Sequence, residues 1–348
     1  MKKIAKVFLI IIAFIFVAFA IFLLFSTIDD YSPDKKILLS ENKNSDLLNK
    51  KEPISLMIWN IGYCGLNKEM DFFYDGGKNV RPSEQKVLEN IRGVKNFLQQ
   101  NDSLDFILLQ EVDKNSKRSY YTNQFDTISN LFKNRTFSFG KNYDVFFVPT
   151  PPMDPMGKVK SGIMTIGKYV PSSSVRFSFP GNYDWPTNLF MLDRCFLVNR
   201  YNLTNEKELL IINTHNSAYD DGELKKQQME YLKKFVKAEY KKGNYVVVAG
   251  DWNQCPPNYK SNFKDNLQDN ENRTDISTIF LPKYNWMYDN SLPTNRRVSA
   301  PYKKGETLTT VIDFYLLSPN IESISVKNVD LGFEYSDHQA VKAVIKLK

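Results

Sequence analysis

The chain opens with Lys2, Lys3 and Lys6, then an unbroken apolar run from Val7 to Phe25, then Asp29 and Asp30. Wound as a helix at about 1.5 Å per residue, that run crosses a hydrocarbon core of roughly 30 Å. A secretory signal has an apolar region of only about 7 to 15 residues ending at small residues. Ala18-Phe19-Ala20 resembles such an end, but Ile21 to Phe25 carries the run past it. The pattern predicts an uncleaved membrane anchor over residues 1–26, in preference to a cleaved signal or a buried core helix. With lysines before the span and acids after it, the N-terminus is expected in the cytoplasm. The protein is then expected in the cell membrane as a single-pass chain, its body on the extracytoplasmic side.

Residues 27–52, with Pro33, Lys35, Lys36, Glu41, Asn42, Lys43 and Asn44, are polar and poor in aromatics, which predicts a solvated stalk. No internal repeat or low-complexity tract follows, so residues 53–348 are expected to form one domain. Short apolar runs predict strands at 54–59, 106–109, 143–148, 162–167, 209–213, 245–249, 311–317 and 341–347. Two stretches carry helical spacing: 82–99, with Val87, Ile91, Val94 and Leu98 on one face, and 224–242, with Met229, Leu232, Val236 and Tyr240. The alternation of the two patterns predicts a mixed α/β architecture.

Composition adds little against this reading and excludes some classes. At 42% hydrophobic and 14% aromatic residues the chain can build a sizeable core. Setting aside the three anchor lysines lowers the net charge from +7 to +4, too mild to identify a nucleic-acid binder by charge alone. The lysines of the 224–242 helix are read as a solvated face. Cys64, Cys195 and Cys255 are odd in number and far apart, which gives neither a disulfide framework nor a zinc site, and they are expected to be buried.

The chemistry concentrates where apolar runs end. The chain has two histidines, His215 in Asn213-Thr214-His215-Asn216-Ser217 and His338 in Tyr335-Ser336-Asp337-His338-Gln339, so these are its candidate proton-handling imidazoles. Asn60 ends one strand, Glu111 follows Phe106 to Gln110, Asp251 and Asn253 follow Tyr245 to Gly250, and Asp313 sits inside a hydrophobic strand. Any one such acid is ordinarily a cap or turn residue. As a set they suit phosphoester hydrolysis, which needs a hard divalent ion on oxygen ligands, an oriented water, and donors for the phosphate oxygens. An acid buried at Asp313 needs a cationic partner. His338 is one such partner, and the alternative is a structural arginine, Arg296 or Arg297.

Trp59-Asn60-Ile61, Leu109-Gln110-Glu111-Val112, Asn213-Thr214-His215, Gly250-Asp251-Trp252-Asn253, Ile312-Asp313-Phe314-Tyr315-Leu316-Leu317-Ser318 and Ser336-Asp337-His338 resemble, in order, the motifs of the endonuclease/exonuclease/phosphatase (DNase-I-like) superfamily. The resemblance covers nearly the whole body of the chain. It implies a four-layered α-β-β-α sandwich of two packed mixed sheets, with the site where loops converge at one edge. It also implies a metal, Mg2+ or Mn2+, held by Glu111 with Asn60 and with Asp337 in or beside its shell. Asp251 would orient or deprotonate the attacking water, Asn253 would donate to a phosphate oxygen, and His338, backed by Asp313, would meet the phosphate as an imidazolium. A histidine at position 215 points away from the exonuclease-III-like branch.

The expected activity is therefore a membrane-anchored, metal-dependent phosphodiesterase, with nucleic acid as substrate and an extracellular-facing nuclease as the leading reading. The alternative is a sphingomyelinase-like or inositol-phosphate phosphatase-like hydrolase of membrane headgroups (phospholipid or inositol phosphate). Three features stay unassigned: the Gly62-Tyr63-Cys64-Gly65 turn, the aromatic Phe72-Phe73-Tyr74 loop, and Arg118, Tyr120 and Tyr121.

Overall fold

A computed structural model describes residues 2–49, 52–218, 222–263 and 274–348. Its strands, in chain order, are β1 (Lys36–Glu41), β2 (Leu47–Leu48), β3 (Ile54–Asn60), β4 (Phe106–Asp113), β5 (Thr136–Val148), β6 (Gly157–Gly167), β7 (Ser173–Ser178), β8 (Cys195–Leu203), β9 (Glu208–His215), β10 (Tyr245–Asp251), β11 (Asn285–Met287), β12 (Asn295–Arg296), β13 (Thr309–Thr310), β14 (Asp313–Leu317), β15 (Ile321–Asn328) and β16 (Val341–Leu347). The α-helices are α1 (Lys2–Ile28), α2 (Glu84–Gln100), α3 (Gln124–Ser129) and α4 (Glu223–Lys241).

Two mixed sheets carry the domain. One runs β1-β7-β8-β9-β10-β14-β11 with β2 on β8, and the other runs β15-β16-β3-β4-β6-β5. Their inner faces close on each other through Leu56, Ile58, Phe106, Leu108, Leu209, Ile211, Val247, Tyr315 and Val341. The outer face of the first sheet is covered by Met229, Leu232 and Val236 of α4. That of the second is covered by Val87, Ile91, Val94 and Leu98 of α2 and by Ile128 of α3. The expected α-β-β-α sandwich is therefore present, built from the apolar stripes legible in both helices. Ser83 starts α2 by accepting a hydrogen bond from the Lys86 amide through its side chain.

The stretch 27–52 differs from the expected stalk. Its first residues still belong to α1, β1 pairs antiparallel with β7, and β2 pairs parallel with β8. Ile37, Leu38 and Leu39 interrupt the polar run and let the chain pair with the sheet edge, a few residues too short to register as a period. Strands β7, β8 and β15 were also not expected, because their apolar residues are interleaved with Ser, Asn, Arg and Lys.

Helix α1 is long and apolar enough to cross a membrane, and most of its side chains are exposed. Its last turns meet the domain: Phe22 stacks on Phe190 at 5.7 Å, Phe25 meets Phe146 edge-on at 4.8 Å, and the Trp185 indole donates to Thr27 at 3.2 Å. All three cysteines are free and buried.

Candidate active site

Two rows of polar residues, one from each sheet, meet at one edge of the sandwich. In the first sheet the register of β9, β10 and β14 sets His215, Asp251 and Asp313 side by side. Such close pairing at Gly250 leaves no room for a side chain: with φ +145, a Cβ there would lie 2.1 Å from the Thr214 carbonyl oxygen. In the second sheet Asn60 pairs with Gln110, and β4 then bulges between Leu109 and Val112. Glu111 lies in that bulge at φ 56, which turns its carboxylate into the cleft while Gln110 points inward. Gln110 donates to Asn213 at 2.7 Å, and Asn213 donates to the Leu109 and Met164 carbonyls at 3.1 and 3.0 Å, so an amide pair ties the sheets together directly behind the site.

The rows touch through Asn60, whose amide donates to Glu111 at 3.2 Å and to Asp251 at 3.0 Å. His215 Nε2 is 3.4 Å from Asp251 and 4.0 Å from Glu111. His338 Nδ1 is 2.8 Å from Asp313, while its Nε2 is 3.6 Å from Asp251 and 4.0 Å from Asp337. The Asp251 carboxylate also accepts the Asn253 amide at 2.9 Å. Asn253, at φ 50, donates one side-chain N–H to the Asn216 carbonyl at 2.9 Å, and its amide has a second hydrogen left to give. The His338 strand end is fixed by the Trp59 indole on its carbonyl (3.0 Å) and by the Ser336 hydroxyl, which accepts its amide (3.1 Å) and donates to the Asn60 carbonyl (2.8 Å). All eight residues singled out from the sequence therefore converge: Asn60, Glu111, His215, Asp251, Asn253, Asp313, Asp337 and His338.

Electrostatics divide the two imidazoles. Burial favours neutral His338, but Asp313, Asp251 and Asp337 outweigh it and hold its pKa well above the ordinary value. For His215, with Asp251 and Glu111 at 3.4 and 4.0 Å, burial still prevails, and with Arg194 and His338 nearby it holds the pKa well below that value and keeps the ring neutral. Burial raises Asp251 to about 6, against the pull of His338. Asp337 is pushed up to about 7 by burial, with His338 pulling down and Glu111 pushing up.

Asp313 pairs with His338, and Arg296 goes elsewhere, donating to the carbonyls of Arg297, Ala300, Asn67 and Met70. Arg118 makes a bidentate pair with Asp113 and Tyr120 donates to the Pro82 carbonyl, so both brace the scaffold. The aromatic loop is packed largely by its own rings, Phe72 on Phe73 at 5.0 Å and Phe73 on Tyr74 at 4.2 Å. Two residues lining the cleft were not anticipated. The Asn295 amide lies 3.0 Å from His338 Nε2. Arg194 precedes β8, whose N-terminal end reaches the same sheet edge as the C-terminal end of β9 because the two are antiparallel.

A divalent cation suits this donor set. Glu111 and Asp337 offer hard carboxylate oxygens, Glu111 is among the groups that raise the Asp337 pKa, and Asn60 Oδ1, which accepts the Gly62 backbone N–H at 3.0 Å, has a second lone pair. Asp251, Asp313 and His338 also cluster within ligand distance of one another. There, however, His338 Nδ1 is already occupied by Asp313.

The model of the Endonuclease/Exonuclease/phosphatase family matches residues 57–338, and the chain belongs to that family of phosphoester hydrolases, whose members generally use a divalent metal. No curated protein matches the chain significantly. Among solved structures, an endonuclease/exonuclease/phosphatase from Beutenbergia cavernae is similar at 15% identity and a TM-score of 0.60, covering 85% of this chain and 72% of that one. ANGEL2, a 2',3'-cyclic phosphatase, in complex with adenosine-2',3'-vanadate, is similar at 14% identity and 0.55, covering 88% and 99%. D. rerio TDP2 complexed with single-strand DNA product is similar at 13% identity and 0.52, covering 85% and 99%.

Proposed function

We propose that this chain is a membrane-anchored, divalent-metal-dependent phosphodiesterase that hydrolyses nucleic acid on the extracytoplasmic side. The observation that carries the reading is the meeting of the two rows: one carboxylate, Asp251, lies within 3.0 Å of the Asn60 amide that also binds Glu111 and within 3.6 Å of a charged His338. Glu111, Asn60 and Asp337 would hold Mg2+ or Mn2+, which supplies charge neutralisation at a phosphate oxygen.

Asp251, with a pKa near 6, is mostly ionised at neutral pH and basic enough to take a proton from a water aimed at phosphorus. The new O–P bond then forms as the bond to the leaving oxygen breaks, and that oxygen departs as the alcohol after taking up a proton from solvent. His338, a charged imidazolium fixed by Asp313, donates its Nε2–H to a phosphate oxygen, and Asn253 offers its remaining amide hydrogen to another. Neutral His215 donates toward Asp251 and orients it. The nucleotide and DNA ligands of two structurally similar proteins favour nucleic acid over a lipid headgroup.

The test uses full-length protein in detergent, because β1 and β2 belong to the sheet. With magnesium or manganese it should cut plasmid DNA or RNA well above an Asp251→Ala control. Release of phosphocholine or inositol-linked phosphate from vesicles, with nucleic acid untouched, would replace the nuclease by the headgroup hydrolase.

A further inference from the structure

Helix α1 ends against the rim of the cleft. Wound at about 1.5 Å per residue, the apolar run from Val7 to Phe25 just fills a hydrocarbon core of roughly 30 Å, so Phe22 and Phe25 stand in its last turn. Phe25 meets Phe146 at 4.8 Å. Phe22, one turn deeper, lies 5.9 Å from Phe146, 6.2 Å from Phe147 and 5.7 Å from Phe190. Rings of the domain therefore sit at the depth where the span leaves the hydrocarbon. Trp185, 60% exposed, donates its indole N–H to Thr27 at 3.2 Å, and tryptophan is a side chain that favours the membrane–water boundary.

Strand direction brings the cleft to the same place. β4 and β5 are both antiparallel to β6 and so run parallel to each other, with Asp113 and Tyr143 both opposite Ser161. At about 3.3 Å per residue, Phe146 to Val148 lie roughly 10 Å or more beyond the level of Asp113, on the side of the edge that carries Glu111. Along α1, the step from Phe25 into the span at Phe22 brings in Phe147 beside Phe146, so β5 heads toward the bilayer as it passes that edge. The β5–β6 turn follows at once with Pro151, Pro152 and Met153, and Met153 is 97% exposed. The aromatic Phe72-Phe73-Tyr74 loop buttresses this turn, the Tyr74 hydroxyl lying 3.2 Å from that of Thr150.

The domain has no slack to swing away. Only residues 29–35 separate α1 from β1, and among them Tyr31 is held with its ring centre 3.5 Å from the Lys141 ammonium. The mouth of the cleft, a volume of about 810 Å³, is lined by Tyr74, Met156, Tyr183, Met191 and Leu192, which belong to the same loops.

We infer that the β5–β6 turn and the Trp185 turn form a lipid-docking rim, resting in the boundary layer of the bilayer that α1 spans, so that the cleft opens onto the membrane surface. The bilayer is the occupant because the rim is continuous with the span: lipid that surrounds Phe22 and Phe25 also meets Phe146 and Phe190. A phosphodiester then enters the cleft along the membrane surface. The inference rests on the anchor reading of α1 and not on which phosphodiester is cut.

The test uses the full-length chain in phosphatidylcholine liposomes, with an environment-sensitive fluorophore on Met153→Cys or Trp185→Cys; the three native cysteines are buried. Ser103→Cys, exposed just ahead of β4 at the opposite edge of the sheet, is the reference. A lipid-tethered quencher should dim the label at 153 and at 185 at least about threefold more than at 103, with emission shifted to the blue at the first two. Either position serves if the other variant does not fold by circular dichroism. A label at 153 or 185 that stays in water, or lipid quenching at 103 equal to theirs, would overturn the rim and leave the anchor. Loss of the chain from the liposomes in an alkaline wash would overturn both. The readout is depth, so the expected quenching in a chain that cuts neither DNA nor RNA would keep the rim and remove the nuclease reading.

Discussion

Replacing Asp313 with asparagine keeps the shape of the site and removes one charge. The Asp313 carboxylate lies 2.8 Å from His338 Nδ1, both side chains are buried, and it is the carboxylate acting most strongly on that imidazole. An opposite charge this close shifts a pKa by about 1 to 3 units, or roughly 1.4 to 4 kcal/mol of preference for the charged form. Asp251 and Asp337 remain at 3.6 and 4.0 Å, so the shift is not complete. The sign follows: the imidazolium is populated below the His338 pKa, so the raised value extends activity to higher pH and its loss brings the alkaline limb down. In a profile of kcat/KM from pH 5 to 10 with a chromogenic phosphodiester, Asp313→Asn should move that limb acidward by about 1 to 3 units, costing roughly tenfold per unit at pH values above it. The acid limb of the wild type should fall near pH 6, where Asp251 takes up its proton. An alkaline limb that stays put in Asp313→Asn would refute the imidazolium role of His338.

Three other outcomes are expected. Glu111→Gln should weaken Mg2+ binding by more than about tenfold in calorimetry and abolish cleavage while circular dichroism stays native, and chelation should silence the wild type reversibly. Gly250→Ala sets a methyl 2.1 Å from a backbone oxygen and should destabilise the fold by about 3 kcal/mol or more in urea titration. Asn213→Leu strips the inter-sheet amide of its three hydrogen bonds and leaves Gln110 without its partner; a loss of about 2 to 4 kcal/mol in the same assay is expected, with activity falling alongside.

The site was legible because its residues obey one rule that a sequence displays: a polar side chain at the C-terminal end of an apolar run. Asn60, His215 and Asp251 sit at such ends, and Asp313 betrayed itself as a charge within a hydrophobic strand. Arg194 breaks the rule by standing at the start of its strand, and only the antiparallel direction of β8 brings it to the same edge. Asn295 lies in a turn-rich segment without period, and nothing local says that it pairs with His338 from 43 residues away. The Glu111 bulge was invisible for a related reason: Phe106 to Asp113 reads as one strand, and the left-handed residue inside it is forced by tertiary context. β1 was hidden because an edge strand needs little hydrophobicity when its partner supplies the hydrogen bonds.

The amide pair of Gln110 and Asn213 has a consequence for when the protein can act. Glu111 and Asn60 ride on one sheet, while His215 and Asp251 ride on the other. Neither half has a working assortment of groups, and their distance is fixed by directional bonds that a merely greasy interface would not enforce. A half-folded polypeptide therefore lacks the assembled site, which is complete only once the two layers have docked.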